Sequence, residues 1–507
     1  MSESTDVTSD AVLVPPLPTD CTIEPASDLR SLAQGRILIG GAPLTITRLS
    51  DAGGALVSGW FAGAPISDNP KHQALARRLL RAGMAHTTPS HHSVDPGRLS
   101  VIIPVKDDQA GLDATLEALL GHEVHAGAEA EADLALSSLV VVDDGSAPLA
   151  QIADHGPGVS VLRHERALGP GQARQAGLRL IKSEPTGSDL VAFIDAGVLV
   201  TASDLLQLAA AFDDPAVVAA APRVASIAAD NLVARFDLNR SPLDLGPGQS
   251  LVGPGRHVPY VPSACLVVRA DRLEEAGGFD PALRYGEDVD LVWRLAALGD
   301  VVYLPSVVVQ HPARPTLASM ARQRRSYGSA AAPLAVRHGE AVAPVKISPW
   351  SALVFLLAIA GRPVVALATA AGTALALRPK IEPLPDLTAE AFLLTARGHW
   401  YGGLSVLTAT VRAWSPIVAL GWLIMPSQRR RLATVVAAAF ARRLLDGPKA
   451  PADAVRDVAL GAVDDLAYCT GVWEGVVKQR SRTALAALAP ALSSWPKPGA
   501  GGSKPPS

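Results

Sequence analysis

The feature that most constrains this chain is a pair of wholly apolar runs, each ending on polar residues. LSVIIPV (Leu99–Val105) is followed by Lys106-Asp107-Asp108, and LVVVDDGS (Leu139–Ser146) ends on two carboxylates, a glycine and a serine. An unbroken apolar run fits a strand covered on both faces, as in a parallel sheet, better than the alternating pattern of a half-exposed strand. A helical stretch over Gly111–Leu120 separates the two, and strand and helix patterns alternate as far as His338. The fold class expected is therefore α/β. Open α/β sheets bind ligands at the carboxyl ends of their strands. Asp143 and Asp144 there are placed to accept hydrogen bonds from a nucleobase and a ribose. A lone DDG reads equally well as a solvated turn; two strand-end motifs at this spacing argue against that.

The length of 507 residues exceeds one hydrophobic core, so several units are expected. Residues 1–28, polar and proline-broken, read as a disordered lead. Residues 29–90 read as a small α+β, winged-helix-like unit. RILIGG (Arg36–Gly41) and LTITRL (Leu44–Leu49) form its hairpin, Ser50-Asp51 caps a helix, and a second helix runs through Pro70–Met84. HTTPSHHSVDPG (His86–Gly97) reads as a linker whose His91 and His92 are solvated rather than metal-bound. The α/β domain spans 99–338. Residues 349–492 form an apolar helical region, and 493–507 a disordered tail. The apolar runs Ser351–Leu377 and Gly403–Met425 are broken by Arg362-Pro363 and by Arg412 and Pro416. A spanning helix needs roughly 20 apolar residues, and each run reaches that only by tolerating an arginine. Membrane association is expected, with spanning, interfacial and buried soluble helices all open.

Composition excludes several classes. Lys and Arg number 45 against 48 Asp and Glu, with no basic stripe, which argues against nucleic acid. The three cysteines, Cys21, Cys265 and Cys469, are too scattered for a zinc site or a disulfide framework and fit a reducing compartment. The acidic, polar N-terminus lacks the basic and apolar regions of a secretory signal.

The succession LSVIIPVKDD, LVVVDDGS, RALGPGQARQAGL, LVAFIDAGV, LVVRADRLEEAGGFDPAL and GEDVDLVWRL resembles glycosyltransferase family 2, with its Rossmann-like GT-A fold. The resemblance implies that Pro104, Val105, Asp143 and Asp144 line the base and ribose pocket. It puts Arg166, Gly169, Arg174 and Asp195 near the nucleotide sugar, with Gln175 where the family usually has Asn. A guanidinium beside a diphosphate is chemically apt because it pairs bidentately with phosphate oxygens. The family's Asp-x-Asp is here Asp195-Ala196-Gly197, so the last carboxylate is absent. Asp195 and His311 are the implied ligands of a divalent metal, Mg or Mn, although His311 also reads as a structural histidine beside a proline. On the acceptor side the resemblance implies Gly277, Gly278, Phe279 and Asp290. Asp288 is the implied general base of an inverting transfer and Glu287 its helper. Helix N-capping is the alternative reading of the acidic cluster. Arg324 and Arg325 in RQRRSYGSA are similar to the QxxRW element of processive synthases, without its Trp, and imply a grip on a diphosphate or glycan. A solvated basic helix is the alternative there.

The front unit resembles PqqD-like peptide-recognition domains, which implies a precursor peptide or pathway enzyme bound by strand addition at an exposed sheet edge. The joint layout resembles the mycofactocin-system glycosyltransferases of actinobacteria. That implies UDP-glucose as donor, premycofactocin as acceptor, a β-1,4-linked oligoglucose product and a place on the cytoplasmic face of the cell membrane. Two other readings stay open at this point. One is a cell-envelope rhamnosyl- or galactofuranosyltransferase acting on a lipid-linked glycan. The other is a nucleotide-sugar-binding or scaffold protein without turnover.

Overall fold

The computed structural model describes residues 15–88, 94–121, 136–151, 159–183, 187–227, 231–382, 384, 386–445 and 451–492. The expectations for residues 1–14, His91, His92 and 493–507 lie outside the described residues.

The front unit begins earlier than its sequence pattern indicates. Strand β1 (Ile23–Pro25) pairs antiparallel with β5 (Ala85–Thr87), in a segment read as linker, and Leu17 donates its N–H to Gln73 Oε1. Residues 15–28 are thus part of the unit and not a disordered lead. The reason is that Leu17 and Ile23 are buried with Trp60, Leu79 and Met84. Between them lie an antiparallel sheet of β2 (Arg30–Leu32), β3 (Ile37–Gly40) and β4 (Thr45–Arg48), then helices α1 (Asp51–Phe61) and α2 (Pro70–Ala82). Ser50 caps α1 by accepting the Gly53 N–H, and Asn69 caps α2. All four residues of β3 are buried, because its two faces meet different cores. Leu38 points into the unit, while Ile37 and Ile39 pack on Leu377, Ile381 and Ala391 of the C-terminal region. On the other side, Arg77 clamps Asp214 bidentately, at 2.6 Å for both contacts. The unit is wedged between the two larger regions.

The central sheet has eight strands, in the order β11-β13-β10-β12-β9-β6-β7-β8. They are β6 (Leu99–Val105), β7 (Ser138–Asp143), β8 (Val159–Arg163), β9 (Leu190–Ile194), β10 (Val217–Ile227), β11 (Ser250–Leu251), β12 (Cys265–Arg269) and β13 (Asp300–Pro312). Strands β9, β6, β7 and β8 run parallel, and β12 is antiparallel to both its neighbours. This is the mixed GT-A sheet that the family resemblance implied. The full burial of β6 follows from its position. Val101, Ile103 and Val105 face one core with α3 (Gln109–Leu120) and α5 (Ala202–Ala210), and Ile102 faces the other with α4 (Pro170–Ser183).

Helices α6 (Leu232–Arg240), α7 (Ala270–Glu275), α8 (Glu287–Leu298) and α9 (Leu317–His338) complete this domain. The chain continues through β14 (Lys346–Ile347), α10 (Pro349–Ile359), α11 (Pro363–Leu377), α12 (Leu387–Arg412), α13 (Ser415–Ile424), α14 (Arg429–Ala441), α15 (Pro451–Gln479) and β15 (Ala491–Leu492), the last paired parallel with β14. This region is less uniformly apolar in space than in sequence. Helix α15 lies along α9, where Gly328, Gly471 and Gly475 allow the backbones to touch. Arg324 of α9 is buried between Asp237 (2.7 Å) and Asp464 of α15 (2.5 Å), and Arg325 pairs with Glu474. The expected grip of these two arginines on a glycan is therefore corrected: both bind the C-terminal helix to the catalytic domain.

Candidate active site

The donor edge is built by strand-end carboxylates that bind backbone. Asp143, the last residue of β7, is fully buried. Its Oδ1 accepts the Ser146 N–H at 2.9 Å and its Oδ2 the Ala150 N–H at 3.0 Å, with Arg163 at 3.6 Å. Burial works against its charge, but Ser146, Ala150 and Arg163 hold the carboxyl below the usual range. Asp144 accepts the Leu168 N–H and the His164 ring on Oδ1, and the Gly169 N–H at 2.8 Å on Oδ2. Its own N–H donates to Val105 O. Gly145 is needed between these residues and the loop they hold. Its φ is +72°, and a Cβ there would stand 2.6 Å from Ala167 N. Pro104 and Val105, Asp143 and Asp144, and the loop carrying Arg166 and Gly169 thus converge on one edge. Arg166 stands exposed on its rim.

Arg174 does not reach into this edge as the family pattern implied. Projecting from α4, its buried guanidinium donates to Asp195 Oδ1 and, at 3.1 Å, to Glu287 Oε1, and lies 5.4 Å from the Phe279 ring centroid. It joins the end of β9 to the start of α8. Gln175, next to it, accepts the Phe279 N–H at 2.9 Å and so fixes the GGF turn. Here the departure from Asn has a positioning role that the motif alone does not disclose.

At residue 197 the chain makes a left-handed turn (φ +91°) whose N–H donates to Gly111 O and Thr115 Oγ1. The nearest atoms to a Cβ there are Pro312 Cδ at 3.7 Å and Asp108 Oδ2 at 3.8 Å. Backbone conformation, more than space, disfavours an aspartate. His311 is near this turn, with Nδ1 2.8 Å from Pro312 O. Among the described residues no three His, Cys, Asp or Glu side chains are grouped to hold a metal. Asp195 is paired with Arg174, and residue 197 has no side chain to offer. The set implied by Asp195 and His311 does not fit a protein-built metal cage.

The acids that the resemblance puts on the acceptor side, Glu287, Asp288 and Asp290, cluster at the amino end of α8 after Gly286. Asp290 was expected to face the acceptor. It is instead buried, bound by Arg294 (2.8 Å) and His338 (2.9 Å), and Arg294 in turn donates to Gly278 O. Glu287 is buried; this, reinforced by Asp288 and only partly offset by Arg174, pushes its carboxyl up to about 7. Asp288 accepts the Val289 N–H at 2.8 Å. Burial also raises its carboxyl, against hydrogen bonds from Val289 and Ser263 and the charge of Arg174. Of the three acids it is the one without an ion pair among the described residues. Beside it lie Tyr260, whose hydroxyl is pushed up to about 12 by burial and by Asp288, and Tyr327. Tyr327 falls within RQRRSYGSA, whereas no motif marks Tyr260.

The strand-end carboxylates and the acids of α8 are linked through Arg174, which pairs with Asp195 and Glu287. Residues 100–270 match the glycosyl transferase family 2 description, and 190–441 match glycosyl transferase family group 2. The chain belongs to glycosyltransferase family 2. Its relatives include the pre-mycofactocin glycosyltransferase of Mycobacterium tuberculosis, matched in two strains. It is 33% identical over 494 residues, covering 92% of this chain and 98% of that protein. Among solved structures, a mannosyltransferase of Pyrobaculum calidifontis in complex with GDP-mannose and Mn2+ is 16% identical, covering 79% of this chain and 93% of its own (TM-score 0.38). GalNAc-T7 with UDP, GalNAc and Mn2+ is 15% identical over 43% of each chain (TM-score 0.30).

Proposed function

We propose that this glycosyltransferase transfers glucose from UDP-glucose to premycofactocin with inversion, and repeats the step to build a β-1,4-linked oligomer. The name of the mycobacterial relative, at near full-length coverage, supports the acceptor. The observation that carries the chemistry is the sorting of acids at α8. Glu287 and Asp290 are each held by an arginine, and Asp288, with a carboxyl raised by burial, is in no ion pair among the described residues. In this reading Asp288 takes the proton of the acceptor hydroxyl as its oxygen attacks the anomeric carbon, and the nucleoside diphosphate leaves on the opposite side. Arg174 keeps Asp195 and Glu287 in register across the cleft, and Arg166 on the rim meets the diphosphate. This reading uses no metal, because among the described residues no three His, Cys, Asp or Glu side chains group to hold one.

The front unit takes the precursor peptide or a pathway enzyme. With the β3 face covered on both sides, strand addition is left to the edges of β2 and β4. In this reading the chain works on the cytoplasmic face of the membrane, and its free cysteines are compatible with a reducing compartment. The test is a panel of nucleotide sugars offered to the purified chain with premycofactocin or a lipid-linked glycan. Hexose additions to premycofactocin from UDP-glucose are expected. Rhamnosyl or galactofuranosyl transfer to the lipid acceptor alone would replace this reading with the cell-envelope one, and no transfer to either would favour a binding protein.

A further inference from the structure

Helices α10 and α13 bury almost nothing, although both are apolar on every face. PWSALVFLLAI buries only Ser351, and SPIVALGWLI only Gly421. Leu356, Leu423 and Ile424 are 65%, 68% and 66% exposed, and Val364 at the start of α11 is 79% exposed. The turn after α10 lies against α14, the helix that follows α13. The Arg431 guanidinium lies against Gly361, where a Cβ would be 2.9 Å from Nη2, so the α10–α11 turn abuts the segment just beyond α13. Arg429 reaches back to Trp422 O at 3.0 Å. Contiguous exposed apolar surface of this kind marks an interaction site.

We propose that this face docks on an anionic lipid bilayer, entering one leaflet without crossing. The choice of a lipid surface rests first on charge. Neither 349–381 nor 413–445 contains an Asp or Glu, whereas Arg362, Arg429, Arg430 and Arg431 border the apolar residues. Arginines beside an apolar face with exposed Trp350 and Trp422 match the headgroup level of an anionic membrane.

The second ground is length. At 11 and 10 residues, α10 and α13 are each about 15 Å long, roughly half the hydrocarbon thickness. No single helix among the described residues is long and apolar enough to cross; only α12 with α13 passes by composition, bent by 80°. That pair is anchored in protein, since Arg412 at the end of α12 is bound to Asp464 and Asp465 and stacks 4.2 Å from the Tyr468 ring centroid. Insertion tip-first would also carry Arg362 and Arg431 into the hydrocarbon, whereas lying along the surface keeps them among the phosphates.

The test uses the full chain in flotation with phosphatidylcholine vesicles, with and without 30 mol% phosphatidylglycerol, and needs no enzymatic activity. At least tenfold more protein is expected to float with the anionic vesicles, falling in high salt. Leu423→Asp with Ile424→Asp is expected to lower binding at least tenfold. Arg430→Glu should lower it only on anionic vesicles. Val455→Asp, at an exposed apolar position on α15, should leave it unchanged, which separates local from general damage. Flotation of the Leu423/Ile424 variant equal to wild type overturns the proposal. So does wild-type chain that resists alkaline carbonate extraction, which indicates spanning. A variant that loses self-association in vesicle-free solution while floating normally overturns it in favour of a second copy as occupant.

Discussion

The strand-end carboxyl of Asp143 and the carboxyls opening α8 are shifted in opposite directions. At the donor edge, Asp143 and Asp144 are surrounded by backbone N–H donors, and their carboxylates are structural fasteners for the loop that carries Arg166 and Gly169. At the acceptor end, Glu287 and Asp288 lie in a buried helix start with fewer donors than charge, and both carboxyls are raised. At Asp143 the hydrogen bonds outweigh burial and lower the carboxyl, whereas at Glu287 and Asp288 burial outweighs the partners and raises it. Arg174 is the physical link between the two ends.

The sharpest way to break this contrast is Asp288→Asn, expected to lower kcat by about 10²–10⁴-fold with little change in thermal midpoint; initial rates with UDP-glucose check it. A residual rate near wild type would move the base elsewhere. Arg174→Met leaves Asp195 and Glu287 unpaired, and a loss of about 3–5 kcal/mol is expected in urea unfolding, with transfer lost as well. A pH series sharpens the acceptor side. Glu287 titrates near 7 in the folded chain against 4.5 unfolded, so the folded state binds the extra proton between these values. Its contribution therefore falls as pH rises through that window. Wild type should lose at most about 3 kcal/mol relative to Glu287→Gln between pH 4.5 and 7.5, read from paired urea midpoints; parallel curves would reject the raised value. Asp144→Asn should cost about 2 kcal/mol and raise KM for the donor more than for the acceptor. The smallest effect is at Gly197, where Ala in a left-handed turn should cost about 1 kcal/mol, seen as a lower thermal midpoint.

What was legible in the sequence was local. The apolar runs of β6 and β7, the cap at Ser50, and the acid cluster opening α8 each rest on residues a few positions apart, where periodicity and turn chemistry act directly. What was not legible depends on partners far along the chain. Arg174 meets Glu287 across 113 residues, and Arg324 meets Asp464 across 140. A motif shows the arginine but not which acid claims it, so a phosphate was the natural expectation for both. Strand β1 was missed because three residues ending in Pro25 carry no period. Its partner β5 lay in a segment whose Ser, Pro and His content reads as linker.

Arg324 also bears on how such an enzyme can be divided. A chain cut to residues 99–338 would retain Arg324 and Asp237 but lose Asp464, and would lay bare the glycine-notched side of α9. A buried cation losing one of two anions and a helix losing its backbone neighbour are together severe enough to expect aggregation instead of a minimal catalyst. Transplanting this catalytic domain onto a different acceptor-recognition module therefore requires the last long helix to travel with it. The seam for such a graft lies beyond Leu492, far from where the recognisable motifs stop.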